Sequence, residues 1–398
     1  MTRREAWLDY LRVTACFLVM VVHSTEPFYL GGDGALVLTP SDAYWVAAFE
    51  ALSRACVPIF LIASSYLQFP LHYPSAEFFR RRAVRIVIPM LVWTLVYAFV
   101  WGEPVANLKG LLLNFNYSAG HLWFVYMLLG IYLVMPLLSP WAEKVSRREL
   151  EIYLGIWLIT TLFPFIREAA GGTAPLIQAA DGLPAQAQFP LWGEASWNPY
   201  GMFYYLSGFL GYMLLGLYVR KFLTNNRWTG LLGWSMFLLG FVAIFSGMLG
   251  RMSASSVDGF PLSAGLEVAV GWEAPIAFCG LPVLLTALGL VLVFRRMGAA
   301  RGTVPAGRSE AVSGSGFYRF VILPLSRAGY GMYLSHMLVL SYLSAYSRNL
   351  WGIGTEGRLG IWTTPVEILL TALCSFVVVG LACTLAQRIP RLGKYLMG

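Results

Sequence analysis

The sequence predicts an all-α polytopic membrane protein, a bundle of about ten transmembrane helices with both termini cytoplasmic. Composition is the first of three observations behind this. Of 398 residues, 58% are hydrophobic and 12% charged, about half the charge of a soluble domain, and mean hydropathy is +0.65. The second is grouping. Apolar residues fall in runs of about 20, the length that crosses a bilayer core as a helix with its backbone satisfied internally. The third is charge placement. Assigning successive loops to alternate sides puts 20 Lys and Arg on one side and 5 on the other, leaving Arg12, Arg54 and Arg327 inside spans. Cytoplasmic loops carry that excess. The net charge of +8 follows from topology, so lipid is the implied partner and nucleic acid is not.

Spans are expected over 6–26, 43–69, 84–102, 120–140, 150–167, 199–219, 229–249, 270–294, 320–345 and 362–386. The first looks like a secretory signal, but Asp9 and Arg12 interrupt its apolar stretch and no small-residue cleavage site follows. It reads as a retained helix. Between the fifth and sixth spans, residues 168–198 form the longest connection, rich in Gly, Ala and Pro, with Trp192 and Trp197 near its end. No soluble domain fits anywhere, so 1–398 reads as a single membrane domain. The five cysteines all sit in apolar runs without a CxxC pair and read as small buried hydrophobes.

The first helix carries the most chemistry. Arg12 and His23 are eleven residues apart, which at about 100° per residue returns them to one face, roughly 16 Å apart. Asp9, Cys16, Val19 and Glu26 lie on the same stripe. Ionisable groups within a span are costly and face a bundle interior or a wet cavity. This helix is therefore expected to line a polar route, with Arg12 toward the cytoplasm and His23 toward the outside. In the second helix Glu50 and Arg54 are spaced i,i+4 with the acid first, which suits an intrahelical ion pair. Arg80, Arg81, Arg82 and Arg85 open the third span, and guanidinium forks suit phosphate. His121 opens the fourth span and His336 lies about two-thirds along the ninth. Both are expected at the depth of His23, where the three can converge. No two of them have helical i,i+3 or i,i+4 spacing, which argues against a metal site. No P-loop, GxSxG or dinucleotide fingerprint is present.

Taken in order, several segments resemble the acyltransferase-3 family of bacterial membrane proteins. They are Leu8-Asp9-Tyr10-Leu11-Arg12 with His23 beyond it, Val57-Pro58-Ile59-Phe60 through Ser64-Ser65-Tyr66-Leu67, and Arg82-Ala83-Val84-Arg85 with Pro89. His121-Leu122-Trp123-Phe124 with Tyr132 and Pro136, and Tyr330-Gly331-Met332-Tyr333-Leu334-Ser335-His336, complete the set. One departure is Ser65, where the family usually has Gly. The chain ends at Gly398 and so resembles the stand-alone form, without the hydrolase-like domain many relatives carry.

The resemblance implies an O-acyltransferase of the bacterial inner membrane. It would move an acyl group, usually acetyl, from cytoplasmic acetyl-CoA to a hydroxyl of a glycan or lipid-linked sugar, and no metal is expected. It implies functional roles for Arg12, His23, Arg82 and Arg85. On this reading His23 is the general base and Glu26 orients it. Arg12, Arg82 and Arg85 hold the donor, while His121, Trp123 and His336 hold the acceptor or the developing oxyanion. The competing class is a glycan or lipid-linked sugar transporter. Paired Gly/Pro helix breaks in two repeated halves would favour it, and the sequence shows no such symmetry.

Overall fold

A computed structural model describes residues 5–31, 34–37, 39–101, 119–169, 192–193, 198–256, 259–260, 262–265, 268, 271–300, 316–351 and 364–398. Trp197 and most of the 168–198 connection lie outside the described residues. Among the described residues, eight helical stretches are long and apolar enough to cross a membrane: Ala6–Phe28, Pro40–Gln68, Ser75–Trp101, Gly120–Lys144, Arg147–Ala169, Arg227–Ala254, Ala274–Gly298 and Thr364–Ala386. Each overlaps an expected span.

The remaining two expected spans differ for separate reasons. Over 199–219 the chain forms a 3₁₀ turn, Gly201–Leu206, and then a helix of only 12 residues, Leu210–Lys221. That helix rises about 18 Å, too short to cross alone. Between the two pieces Gly208 adopts φ +69°, a left-handed conformation suited to glycine, and its carbonyl accepts the Trp157 indole N–H at 2.9 Å. Over 320–345 the helix Leu323–Trp351 is 29 residues long. It falls short in apolarity, because serines, glycines, Arg327 and His336 dilute it.

The chain forms two compact units. Met1–Ser24, Gln68–Glu143 and Ala300–Gly398 make the first, and Thr25–Leu67 with Lys144–Ala299 make the second.

In the first unit, α1 (Ala6–Thr25) supplies its length up to Ser24. α4 (Ser75–Arg82) runs through a π-helical turn, Ala83–Val87, into α5 (Ile88–Trp101). A 3₁₀ turn, Gly120–Leu122, opens α6 (Trp123–Lys144). The last elements are α11 (Leu323–Trp351), α12 (Thr364–Ala386) and α13 (Pro390–Leu396). α11 packs on α12, and α5 lies against α11 and α13. Polar groups fix these contacts. Tyr330 Oη donates to the Ile86 carbonyl at 2.8 Å, the Trp93 indole to the Leu396 carbonyl at 2.9 Å, and Tyr97 Oη to the Leu334 carbonyl at 2.8 Å.

In the second unit, strands β1 (Leu30–Gly31), β2 (Gly34–Val37) and β3 (Leu262–Gly265) make a small antiparallel sheet with β2 central. α2 (Pro40–Ser53) starts at a capping box. The Asp42 N–H donates to Thr39 Oγ1 at 3.2 Å and the Thr39 N–H to the Asp42 carboxylate at 3.1 Å, which satisfies two orphan donors. α3 (Cys56–Gln68), α7 (Arg147–Ala169), α8 (Leu210–Lys221), α9 (Arg227–Ala254) and α10 (Leu281–Ala300) follow. Ser65 Oγ donates to the Met213 carbonyl at 2.6 Å. A Cβ at Gly216 would lie 2.6 Å from the Ser65 Cβ, so the small residue this contact needs stands on α8 instead of at position 65.

Candidate active site

α1 is continuous through Arg12 and His23, so the two do share a face. The rest of the stripe has a definite partner. Asp9, Cys16 and His23 recur every seven residues, a step that drifts only about 20° on a helix. The buried Asp9 carboxylate accepts from Tyr318 Oη at 2.7 Å and from Ser326 Oγ at 2.6 Å. Cys16 Sγ faces the Gly329 carbonyl at 3.9 Å, and the His23 ring centre lies 5.0 Å from that of His336. The polar stripe is therefore a seam between α1 and the segment leading through α11, with His23 at its far end. Arg12, half-buried on the same face, makes no hydrogen bond or ion pair among the described residues.

Three histidines meet at that end. His336 packs on His23 with the rings tilted by 40°, and on His121 edge to face, again with 5.0 Å between ring centres. Tyr97 closes on His121 at 4.8 Å. His336 Nδ1 lies 2.6 Å from the Tyr333 carbonyl oxygen. A carbonyl can only accept, so Nδ1 carries the proton and neutral His336 keeps a lone pair on Nε2. That Nε2 is buried without a hydrogen-bond partner, as is His121 Nε2. The Tyr333 hydroxyl in turn donates to the His121 carbonyl, tying the two histidine-bearing segments together. In this tautomer His336 has no N–H to offer an oxyanion and can only receive a hydrogen bond. His336 is 0% exposed and His121 8%, whereas His23 and Trp123 are half-buried. Among these four, His23 and Trp123 are the more accessible side chains.

The four arginines divide by partner. Glu77 takes Arg80 at 2.8 Å and Arg81 at 2.6 Å. Arg82 instead lies over the rings of Phe78 and Tyr132, 5.0 and 4.9 Å from their centres, and donates through Nη2 to Gln68. Its Nε is buried without a partner. Arg85, in the π turn, is exposed and makes no hydrogen bond or ion pair among the described residues. Two guanidinium groups thus share one carboxylate within the chain, and two retain donors for an anion.

Glu26 and the Glu50–Arg54 pair belong to the second unit. Glu26 opens a 3₁₀ turn directly after α1. Glu50 is fully buried, 3.4 Å from Arg54 Nη1, and accepts the Thr25 hydroxyl at 2.5 Å. Arg54 also donates to the Ile276 carbonyl at 3.2 Å and lies 4.6 Å over the Phe278 ring. Tyr29 Oη donates to Glu273 at 2.7 Å. Burial, followed by the carboxylates of Glu50 and Glu273, pushes the Tyr29 phenol well above its ordinary range, which keeps it a donor.

Sequence reasoning missed Tyr97, Tyr333 and Gln68 as builders of the site. Tyr333 stands in one of the motifs quoted above, but nothing in its letters separates a positioning hydroxyl from a packed ring. Tyr97 lies in a plain apolar run and gives no signal. Among the described residues no group of three or more His, Cys, Asp or Glu side chains converges to hold a metal ion.

A family model described as an acyltransferase domain matches residues 5–385. No curated protein and no solved structure matches the chain.

Proposed function

The chain belongs to the acyltransferase-3 family, whose model covers nearly all of it, and from that membership we propose a membrane-bound O-acyltransferase that moves an acetyl group from acetyl-CoA to a glycan or lipid-linked sugar hydroxyl. The observation that carries this reading is the meeting of His23, His121 and His336 in the same unit that holds Arg82 and Arg85, the two arginines without a carboxylate partner.

Arg82 and Arg85 hold the donor's phosphates, as the buried partnerless Nε of Arg82 and the unpaired guanidinium of Arg85 allow. Arg12 supplies a further positive charge along the way to His23. His23 takes the proton from the acceptor hydroxyl as it attacks the thioester carbonyl. Trp123 and His121 form the wall on the acceptor's side, with His336 behind them. Both termini lie in the cytoplasm, and the protein resides in the bacterial inner membrane.

The test is transfer of label from radiolabelled acetyl-CoA by the purified protein in lipid nanodiscs, with a surface-glycan extract as acceptor. Label in the glycan supports the enzyme. Movement of glycan across a vesicle membrane with no label incorporated would support the transporter instead.

A further inference from the structure

Arginines also gather at one end of the second unit. There α9 and α10 meet through glycine. A Cβ at Gly233 would stand 2.9 Å from the Gly289 carbonyl oxygen, one at Gly240 would touch Thr286, and one at Gly230 would lie 3.2 Å from Arg296 Cγ. The two helices therefore run in opposite directions. Arg227, at the start of α9, and Arg295 and Arg296, near the end of α10, come to the same end, which loop charge assigns to the cytoplasm. Each guanidinium has a defined setting. Arg295 Nη2 donates to the Leu223 carbonyl at 2.8 Å, and its own carbonyl accepts from Asn225 Nδ2 at 3.1 Å, which pins the 223–225 turn to α10. Its Nη1 is buried without a hydrogen-bond partner. The stem of Arg296 lies on Gly230. Arg227 stands one turn before Gly230 on the same helix face, 5.0 Å over the exposed Trp228 ring. None of the three pairs with a carboxylate among the described residues. In the same unit Arg147 takes Glu151 at 2.8 Å, and Lys221 donates to the Val145 carbonyl at 3.0 Å. Topology asks only for charge in a loop; it does not ask for three guanidinium groups at one helix crossing without a counter-ion.

The rest of α9 says what kind of anion fits. It buries Gly233, Phe237, Gly240 and Ile244 and exposes Leu231, Leu238, Leu239 and Val242. Acyl chains lying along that exposed face would bring their headgroup to Trp228 and Arg227, the height at which an interfacial indole sits. Basic pockets between helices on the cytoplasmic side recognise anionic headgroups. We propose that this end of the α9–α10 pair binds an anionic phospholipid, with Arg227 and Arg296 on the headgroup phosphate and Arg295 adding charge behind them. A phosphodiester offers the oxygens that guanidinium forks match. A zwitterionic headgroup carries its own cation and leaves the three arginines in excess. A free phosphate matches the charge but makes no use of the apolar face. The site stands whether or not the chain transfers an acyl group.

The test is native mass spectrometry of the full chain in detergent, titrated with phosphatidylglycerol and, separately, with phosphatidylcholine. We expect the parent to hold phosphatidylglycerol about tenfold or more tightly than phosphatidylcholine. That preference is read without any substitution, and equal affinity for the two lipids overturns the site. R227Q with R296Q keeps most of each stem and removes the charge, and should cut phosphatidylglycerol affinity by about tenfold or more. R80A with R81A removes the same formal charge from another loop and should keep the affinity of the parent. Equal loss in the two double variants would mean that net charge alone attracts the lipid, and overturns the site as well. Inorganic phosphate in large excess should not displace phosphatidylglycerol; displacement would mark a site for soluble anions and overturn the lipid assignment.

Discussion

Removing the His23 imidazole takes away the accessible member of three packed rings, so its effect should fall on chemistry more than on folding. For His23→Ala we expect acetyl transfer to drop by about 10²- to 10⁴-fold, the usual contribution of a positioned acid–base group. Melting in detergent, followed by fluorescence, should stay close to the parent, since the side chain is only half-buried. The arginines give a sharper contrast. Arg82→Ala with Arg85→Ala should weaken acetyl-CoA binding by about tenfold or more, as loss of charge-assisted hydrogen bonds does. Arg80→Ala with Arg81→Ala should leave it nearly unchanged in the same titration, because Glu77 already holds both groups. Much of this site was legible beforehand. The eleven-residue spacing put Arg12 and His23 on one face, and charge and depth brought three histidines together. What could not be read was which arginines were already paired, because that depends on where a single carboxylate turns. The bare Nε2 atoms were equally hidden, since a tautomer is set by a carbonyl that the sequence does not orient.

Between elements, the α1 stripe is the instructive case. Its polarity was read as the lining of a route, yet Asp9 and Cys16 face Tyr318, Ser326 and Gly329 in a direct helix-to-helix seam. Ionisable residues in a span do face the interior, but an interior can be another helix as easily as water. Asp9→Ala deletes an acceptor of two hydrogen bonds and strands two buried hydroxyls. With each hydrogen bond to a charged group worth about 1.5–3 kcal/mol, we expect a lower melting temperature and reduced yield of folded protein. Asp9→Asn, which keeps one oxygen, should lie between alanine and the parent. The broken 201–221 region was illegible for a related reason. Its apolar run has the length of a span, and only the Trp157 indole on the Gly208 carbonyl shows where the backbone turns.

At the scale of the whole molecule, we expect both termini on the cytoplasmic side, as the excess of Lys and Arg in alternate loops implies. A fluorescent protein fused after Gly398 should therefore glow, and alkaline phosphatase at the same point should be inactive; the reverse pair of results would place that end outside. Hydropathy and loop charge made the membrane class readable from the sequence. The division into two units was not, because each is assembled from separated segments and leaves no boundary in composition. That interleaving sets an order of synthesis. The ribosome begins the first unit, completes the second near residue 299, and only afterwards makes the stretch that finishes the first. Until Tyr318 and Ser326 emerge, a newly made α1 lacks the two hydroxyls that donate to its Asp9 carboxylate. A nonsense codon after residue 300 would therefore leave every segment of the second unit made while removing both hydroxyl donors from the acid of α1.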